Sequence, residues 1–186
     1  MGKYNKIETA YFAGGCFWCL EAVFTRTKGV VSCVSGYAGG EFAEPTYEEV
    51  SKGKTGHAET VKLEYDKTLI SYKDLLSIFF FAHDPTDLGR QGKGVRTQYR
   101  SVIFYENDEQ KAEAEAFVKR LKMDGSNARP IVTEIRPLKK FYWAEEAQQR
   151  YFEHNLDDPY CSFVIVPKLE KFEKIFKRFY KSDGPV

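Results

Sequence analysis

The stretch Tyr11–Phe24, YFAGGCFWCLEAVF, constrains the fold more tightly than any other part of the chain. Ile7–Ala13 reads as a strand and stops at Gly14–Gly15, a pair that breaks regular structure. Phe17–Thr25 then fits a short helix. A strand that turns through two glycines into a helix places Cys16 at the helix N-terminus. Unpaired N–H groups and the helix dipole favour a thiolate there. Phe17 and Trp18 flank that sulfur and could wall in a small apolar group. Three readings stay open on residue types alone: a reactive Cys16, a Cys16–Cys19 redox or metal-binding pair, or an inert buried thiol, a common state of free cysteine.

Strand and helix signals alternate along the rest of the chain without an internal repeat. Val30–Tyr37 and His57–Tyr65 read as strands, separated by a loop-rich Glu41–Gly56. Tyr72–Ala82 is an apolar helix, Asp84–Arg100 a long glycine-containing loop and Ser101–Tyr105 a strand. Asp108–Met123 is an amphipathic helix with Asn107 or Asp108 as its N-cap. Ile131–Arg136 reads as a strand, Glu145–Asn155 as a helix, Phe163–Val166 as a strand and Lys168–Tyr180 as a basic amphipathic helix. This order suggests an α+β or α/β sandwich around one sheet. With 186 residues the expectation is one domain spanning 1–186, with flexible ends at 1–6 and 181–186. Loops beyond about 12–15 residues in a compact domain tend to be functional. Residues 38–56 and 83–100 would flank the cysteine segment if they meet at one end of the sheet.

Lys+Arg number 28 against 27 Asp+Glu, a net charge of +1, so nothing electrostatic points to nucleic acid or an anionic membrane. No apolar run approaches the roughly 18 residues of a membrane span, and the first residues lack an apolar signal-peptide core. The expected location is cytoplasmic. Four cysteines are too few for a disulfide scaffold and, in a reducing compartment, read as catalytic, metal-binding or buried. Structural zinc needs two more ligands beside Cys16 and Cys19. Cys33 and Cys161 stand alone, and His57, His83 and His154 show no matching spacing, so no metal site is expected.

Three further stretches sharpen the choice: GYAGG (Gly36–Gly40), PTYEEVSKGKTGHAETV (Pro45–Val61) and HDPTDLGRQGKGVRTQYRS (His83–Ser101). Together with GGCFW they resemble the methionine sulfoxide reductase A family, from about Thr9 to about Cys161. The resemblance implies an α+β two-layer sandwich, with a mixed or antiparallel sheet, flanking helices and a ferredoxin-like plait at its core. It implies reduction of the S-epimer of methionine sulfoxide, free or in oxidised proteins. It also implies no bound cofactor, thioredoxin or another thiol as external reductant, and a monomer.

The chemistry can be built from residue types. A sulfoxide sulfur is a poor electrophile until its oxygen is protonated or strongly hydrogen-bonded, so a thiol reductase needs a nucleophile facing an acid. Cys16 supplies the first, and Glu59 of TGHAE matches the family's acid. A carboxyl held in a partly apolar pocket keeps its proton better than an exposed one. Tyr47 and Tyr99 match two tyrosines that polarise the sulfoxide oxygen; Phe17 and Trp18 match the pocket for the substrate methyl group. Attack leaves Cys16 as a sulfenic acid, which a second thiol must resolve. Cys161 aligns with the resolving cysteine of many members, and Cys19, at a position more often glycine, is its local rival. An external thiol is a third route, and Cys33, in a strand-like run, reads as structural.

The loop before TQYRS departs from the family pattern G-N-D-x-G. It reads Gly92-Lys93-Gly94-Val95-Arg96, so Gly94 stands where the pattern has Asp, and Lys93 and Arg96 add charge. Water or a neighbouring group would then replace the carboxylate. An impaired relative that only binds methionine sulfoxide or senses redox state is therefore one alternative, and a Cys16–Cys19 thiol–disulfide oxidoreductase another. His83–Asp84 reads as a loop brace rather than a catalytic dyad, and Lys168–Lys181 as a docked terminal helix rather than a membrane-surface one.

Overall fold

The computed structural model describes residues 6–87, 90–91, 94–95, 97–125 and 129–181. Strand β1 (Ile7–Ala13) enters the Gly14–Gly15 turn and leaves as α1 (Phe17–Thr25), within the bounds read from sequence. Gly15 adopts φ +71°, a left-handed conformation that costs glycine little, and its N–H donates to the Tyr99 carbonyl at 3.0 Å. β2 (Val30–Ala38) follows, then α2 (Tyr47–Ser51), β3 (Ala58–Asp66), α3 (Tyr72–Ala82), and the two-residue strands β4 (Arg90–Gln91) and β5 (Gly94–Val95). After a 3₁₀ turn at Thr97–Tyr99 come β6 (Val102–Tyr105), α4 (Asp108–Asp124), β7 (Glu134–Pro137), β8 (Phe141–Trp143), α5 (Tyr151–His154) and α6 (Val166–Ile175).

Six strands form one mixed sheet in the order β7-β6-β1-β3-β2-β8, in which only the β6–β7 pairing is parallel. Its centre, β6-β1-β3-β2, with α1 and α3 as the two crossovers, is the antiparallel βαββαβ plait that the family resemblance implies. Alternation along β1 shows the two layers. Ala10 and Phe12 point into the main core with Leu20, Phe24, Leu76 and Phe79, whereas Tyr11 and Ala13 face a smaller cluster with Phe104 and Phe141 on the reverse side. Phe12 stacks on Phe79 at 4.8 Å between centroids, fixing α3 against the strand that carries the Cys16 turn.

Several sequence expectations change. The loop read over Glu41–Gly56 contains α2, opened by a capping box in which Thr46 and Glu49 satisfy each other's backbone N–H. Phe163–Val166 is not a strand. Cys161–Ile165 forms a π-helical turn running directly into α6. Cys161 and Ile165 are buried while Phe163 is 81% exposed, so the run buries residues four apart and not alternate ones. The helix read over Glu145–Asn155 divides into a 3₁₀ turn, Glu146–Gln148, and α5, because Arg150 at φ 49° interrupts it. β7 begins at Glu134 rather than Ile131, and the three-residue β8 gave no readable signal.

The two long connections do meet at the cysteine turn. Thr97 Oγ1 donates to the Gly53 carbonyl, Gln98 Nε2 to Ser51 and Arg100 to Gly56, stitching residues 51–56 to the segment before β6. α6 docks as expected through Phe172, fully buried against Phe81 and Phe176. Beyond it Tyr180 bridges Thr27, and Lys181 donates its backbone N–H to Arg26 and its ammonium to Thr25 and Val30. Lys181 and Lys6, which accepts from Lys67, are therefore held; the remainder of the two ends expected to be flexible lies outside the described residues.

Gly14 permits the closest approach in the turn. A Cβ there would lie 2.7 Å from the His83 ring and 2.9 Å from Phe79. The His83 ring cannot swing aside, since Nδ1 meets the Phe79 carbonyl and Nε2 the Ser101 hydroxyl, each at 2.7 Å. Gly14→Ala is expected to cost about 1–3 kcal/mol, the usual range for overpacking a filled site, read from the denaturant midpoint at unchanged m-value. An unchanged midpoint would mean the turn tolerates a side chain.

Candidate active site

α1 begins without a side-chain cap of its own. In place of one, Glu59, at the second position of β3, reaches across and accepts the Phe17 N–H at 3.0 Å. Glu59 is 1% exposed, and burial pushes its carboxyl up to about 8 against the opposing pull of that N–H. At neutral pH it is mainly a protonated acid, held against the first turn of the helix whose N-cap is Cys16.

The two thiols of C-x-x-C share a proton. Cys16 is half-buried, and burial raises its thiol well above the ordinary value, with the hydrogen bond to Cys19 and the nearby Glu59 acting in the same direction. The Trp18 backbone amide opposes this but does not prevail. Cys19 is drawn the other way, down to about 6, first by the Cys16 hydrogen bond and then, against its own burial, by the Lys168 charge and the Tyr160 hydroxyl 3.3 Å away. The helix N-terminus is expected to favour a thiolate at Cys16; burial acts against that effect. Desolvation raises Cys16 against the helix N–H groups, while the groups that stabilise a negative charge gather around Cys19.

The pair opens into a cleft of about 440 Å³ lined by Cys16, Trp18, Cys19, Tyr47, Tyr99 and Lys168, among others. Trp18 forms one wall, stacked on Tyr151 at 3.7 Å and 8° and lying 6.0 Å from Tyr47. Its indole N–H donates to Gln148 at 3.2 Å, so the ring is fixed in plane and edge. Phe17 does not line the cleft. Fully buried, it lies below Tyr47 at 6.2 Å and 18°, supporting the wall from the core. Burial and nearby Glu59 hold the Tyr47 hydroxyl well above its ordinary pKa, so it stays a hydrogen-bond donor.

Cys161 lies in the same packed cluster as Cys19, on the π-helical turn and fully buried. Cys33, on β2, packs against the main core away from this cluster, in keeping with a structural thiol. His83 and Asp84 brace as expected. Burial holds His83 down to about 4, so it is neutral, while Asp84 turns away to Thr86 and Arg129. Gly94 pairs with Gln91 in the β4–β5 hairpin, and Lys93 and Arg96 lie outside the described residues. Asp84, Asp87 and Asp158 bring carboxylates to the cleft lining. Among the described residues, no three His, Cys, Asp or Glu side chains converge as a metal site requires.

Sequence reasoning assigned nothing to Glu145, Tyr151, Tyr160 or Lys168. Glu145 accepts the Tyr37 hydroxyl at 2.9 Å and the Tyr47 N–H at 2.7 Å, seating α2 beside the cleft. Glu145, Tyr151 and Tyr160 come from segments of irregular or misread secondary structure, Lys168 lies on a helix read as a plain docked one, and no local spacing marks any of them.

A model of the peptide methionine sulfoxide reductase family matches residues 8–180. This chain belongs to that family. A peptide methionine sulfoxide reductase MsrA from Nautilia profundicola is 52% identical over 166 residues, spanning 89% of this chain and 94% of the relative. Among solved structures, the reduced form of Mxr1 from Saccharomyces cerevisiae aligns with TM-score 0.77 at 32% identity, covering 87% of this chain and 92% of that one. The same yeast protein in complex with Trx2 aligns at 0.56 and 25% identity, covering 81% and 88%. Methionine sulfoxide reductase A of Corynebacterium diphtheriae aligns at 0.76 and 36%, covering 83% and 77%.

The buried carboxyl gives the family fold a measurable property. Glu59 keeps its proton to about pH 8 when folded, whereas an unperturbed carboxyl releases it near 4.5. Between those values the folded state binds more protons, so this group's contribution to stability falls as pH rises. Denaturant unfolding at pH 5 and pH 8.5 should show a smaller decline for Glu59→Gln than for the parent. Equal declines would place the Glu59 titration elsewhere.

Proposed function

We propose that this protein is a thiol-dependent peptide-methionine (S)-S-oxide reductase with Cys16 as nucleophile and Glu59 as acid. The observation that carries this reading is the joint placement of the two groups. A protonated, buried carboxyl and a cysteine meet at one helix N-terminus, beside an aromatic-walled cleft. The substrate's methyl group packs against Trp18, and the hydroxyls of Tyr47 and Tyr99 face the sulfoxide oxygen. The Cys16 sulfur attacks the sulfoxide sulfur as Glu59 protonates the oxygen. The thioether leaves as methionine, the oxygen remains on Cys16 as a sulfenic acid, and Glu59 is left as a carboxylate.

Cys19 is the resolver in this reading, ahead of Cys161. It already contacts Cys16 from the same helical turn, whereas Cys161 is fully buried on another segment. The resulting disulfide is returned to thiols by an external dithiol of the thioredoxin kind; a solved complex of the yeast relative with Trx2 supports that class of reductant. Among the described residues no helix is long and apolar enough to cross a membrane. Four free cysteines accord with a cytoplasmic location.

The protein with dithiothreitol should reduce the S-epimer of a methionine-sulfoxide peptide and leave the R-epimer. Inactivity toward the S-epimer would favour the impaired-binder reading, and disulfide exchange without sulfoxide reduction the oxidoreductase reading. Cys16→Ser should abolish turnover, and Glu59→Gln should lower kcat/KM by about 10²–10⁴, the usual weight of a general acid. In a single turnover without reductant, Cys19→Ser should leave a sulfenic acid trappable by dimedone, while Cys161→Ser should still form a disulfide. The reverse pattern would assign resolution to Cys161.

A further inference from the structure

Lys168 stands on the first turn of α6, far in sequence from both thiols, yet it lines the cleft beside Cys19. Its ammonium donates to the carbonyl of Ala82, the last residue of α3, which fixes the end of the side chain at the cleft lining. Tyr160 approaches from the same C-terminal segment, its hydroxyl 3.3 Å from the Cys19 sulfur and its ring edge-on to Trp18. The segment from Tyr160 to Lys168 thus brings one hydroxyl and one positive charge to a thiol that is only 3% exposed. A buried thiol without such partners is inert.

Resting on the assignment of Cys19 as resolver, we propose that Lys168 is a positioning residue: with Tyr160 it holds Cys19 as the base that takes the Cys16 proton, and then as the thiol that closes the disulfide. In the first step the Cys16 S–H bond breaks, its proton passes to the Cys19 sulfur, and the freed pair attacks the sulfoxide sulfur while Glu59 protonates the oxygen. In the second step the Cys19 sulfur bonds to the Cys16 sulfur and the S–O bond of the sulfenic acid breaks. The departing hydroxide takes the proton from Cys19 and leaves as water. Two thiols are oxidised, one sulfoxide is reduced, and Glu59 regains a proton from solvent.

The groups that set the Cys19 charge come from every element around it: Cys16 from its own helix, Glu59 from β3, and Tyr160, Cys161 and Lys168 from the C-terminal segment. Lys168 is the only cation among them. Cys16 and Tyr160 lower Cys19 as uncharged hydrogen-bond partners, whereas burial, and any negative charge on Glu59 or Cys161, favours its protonated form.

The test is single-turnover reduction of the S-epimer peptide without reductant from pH 5 to pH 9, following methionine released and thiols lost. For Lys168→Met, the rising limb of both rates should move to higher pH by about one unit or more, with roughly tenfold slower reaction at pH 6. Lys168→Arg, which keeps the charge, should retain the parent's midpoint. A merely structural role in tying α6 to Ala82 would lower the rates or the melting temperature without moving the midpoint. That result overturns the proposal, as does a Lys168→Met profile that superimposes on the parent's. If Lys168→Met does not fold, the Arg variant carries the same test: a midpoint displaced upward despite the retained charge overturns the proposal. Failure of the underlying assignment is seen separately, as parent-rate disulfide formation in Cys19→Ser whatever Lys168 does.

Discussion

The hydrogen bond from the Phe17 N–H to the Glu59 carboxyl joins two parts of the chain forty-two residues apart and sets the chemistry of both. A helix start normally takes its cap from the preceding side chain. Here that position is Cys16, and the capping is done by a residue of a neighbouring strand. The consequence is reciprocal. The helix terminus is satisfied only when β3 lies in register against β1, and the carboxyl is held next to the thiol by the same bond. Sheet pairing between β1 and β3, which runs from Ile7↔Asp66 to Ala13↔Thr60, therefore also sets the distance between the proposed acid and the proposed nucleophile.

Desolvation governs the site more than the helix dipole does. Burial raises Glu59 to about 8 and raises Cys16, while Cys19 alone is drawn down, to about 6. On the proposed mechanism, a protonated acid and a negatively charged thiol pair coexist because their environments separate them in this way. The cost of holding an anion in the core is offset by the Cys16 donor, the Tyr160 hydroxyl and the Lys168 charge. The aromatic walls act with these groups. Tyr151 is stacked on Trp18 and Tyr47 lies above Phe17, beside the cleft that holds the sulfurs.

Local sequence signals read well where one segment determines its own conformation. The β1–turn–α1 unit appears in sequence with its observed bounds, because Gly14–Gly15 ends the strand and the next residues favour helix. The plait, Glu59 and the two tyrosines came through the family resemblance, since nothing local to TGHAE says that its carboxyl is buried. The electrostatic surroundings of the thiols depend on desolvation and on Lys168, which tertiary packing brings from a distant part of the chain, so no local sequence signal shows them. Phe163–Val166, just after Cys161, was read as a strand because it is rich in β-branched and aromatic residues. Its helical pattern of burial emerges only once the segment packs on α1. α2 is a different case, for the Thr46–Glu49 capping signal is present in sequence and went unread.

The spacing of Cys16 and Cys19, N-cap and third residue of one short helix, determines where motion is needed in the catalytic cycle. On the proposed assignment the disulfide closes within one helical turn, so oxidation needs no loop to travel and no segment to unfold. Of the two sulfurs, Cys16 is half-buried and Cys19 almost wholly buried, which leaves Cys16 as the end an incoming dithiol can attack. The thiol released by that attack is then Cys19, the one already surrounded by groups that stabilise its anion and make it the better leaving group. Geometry and electrostatics thus give the exchange a direction.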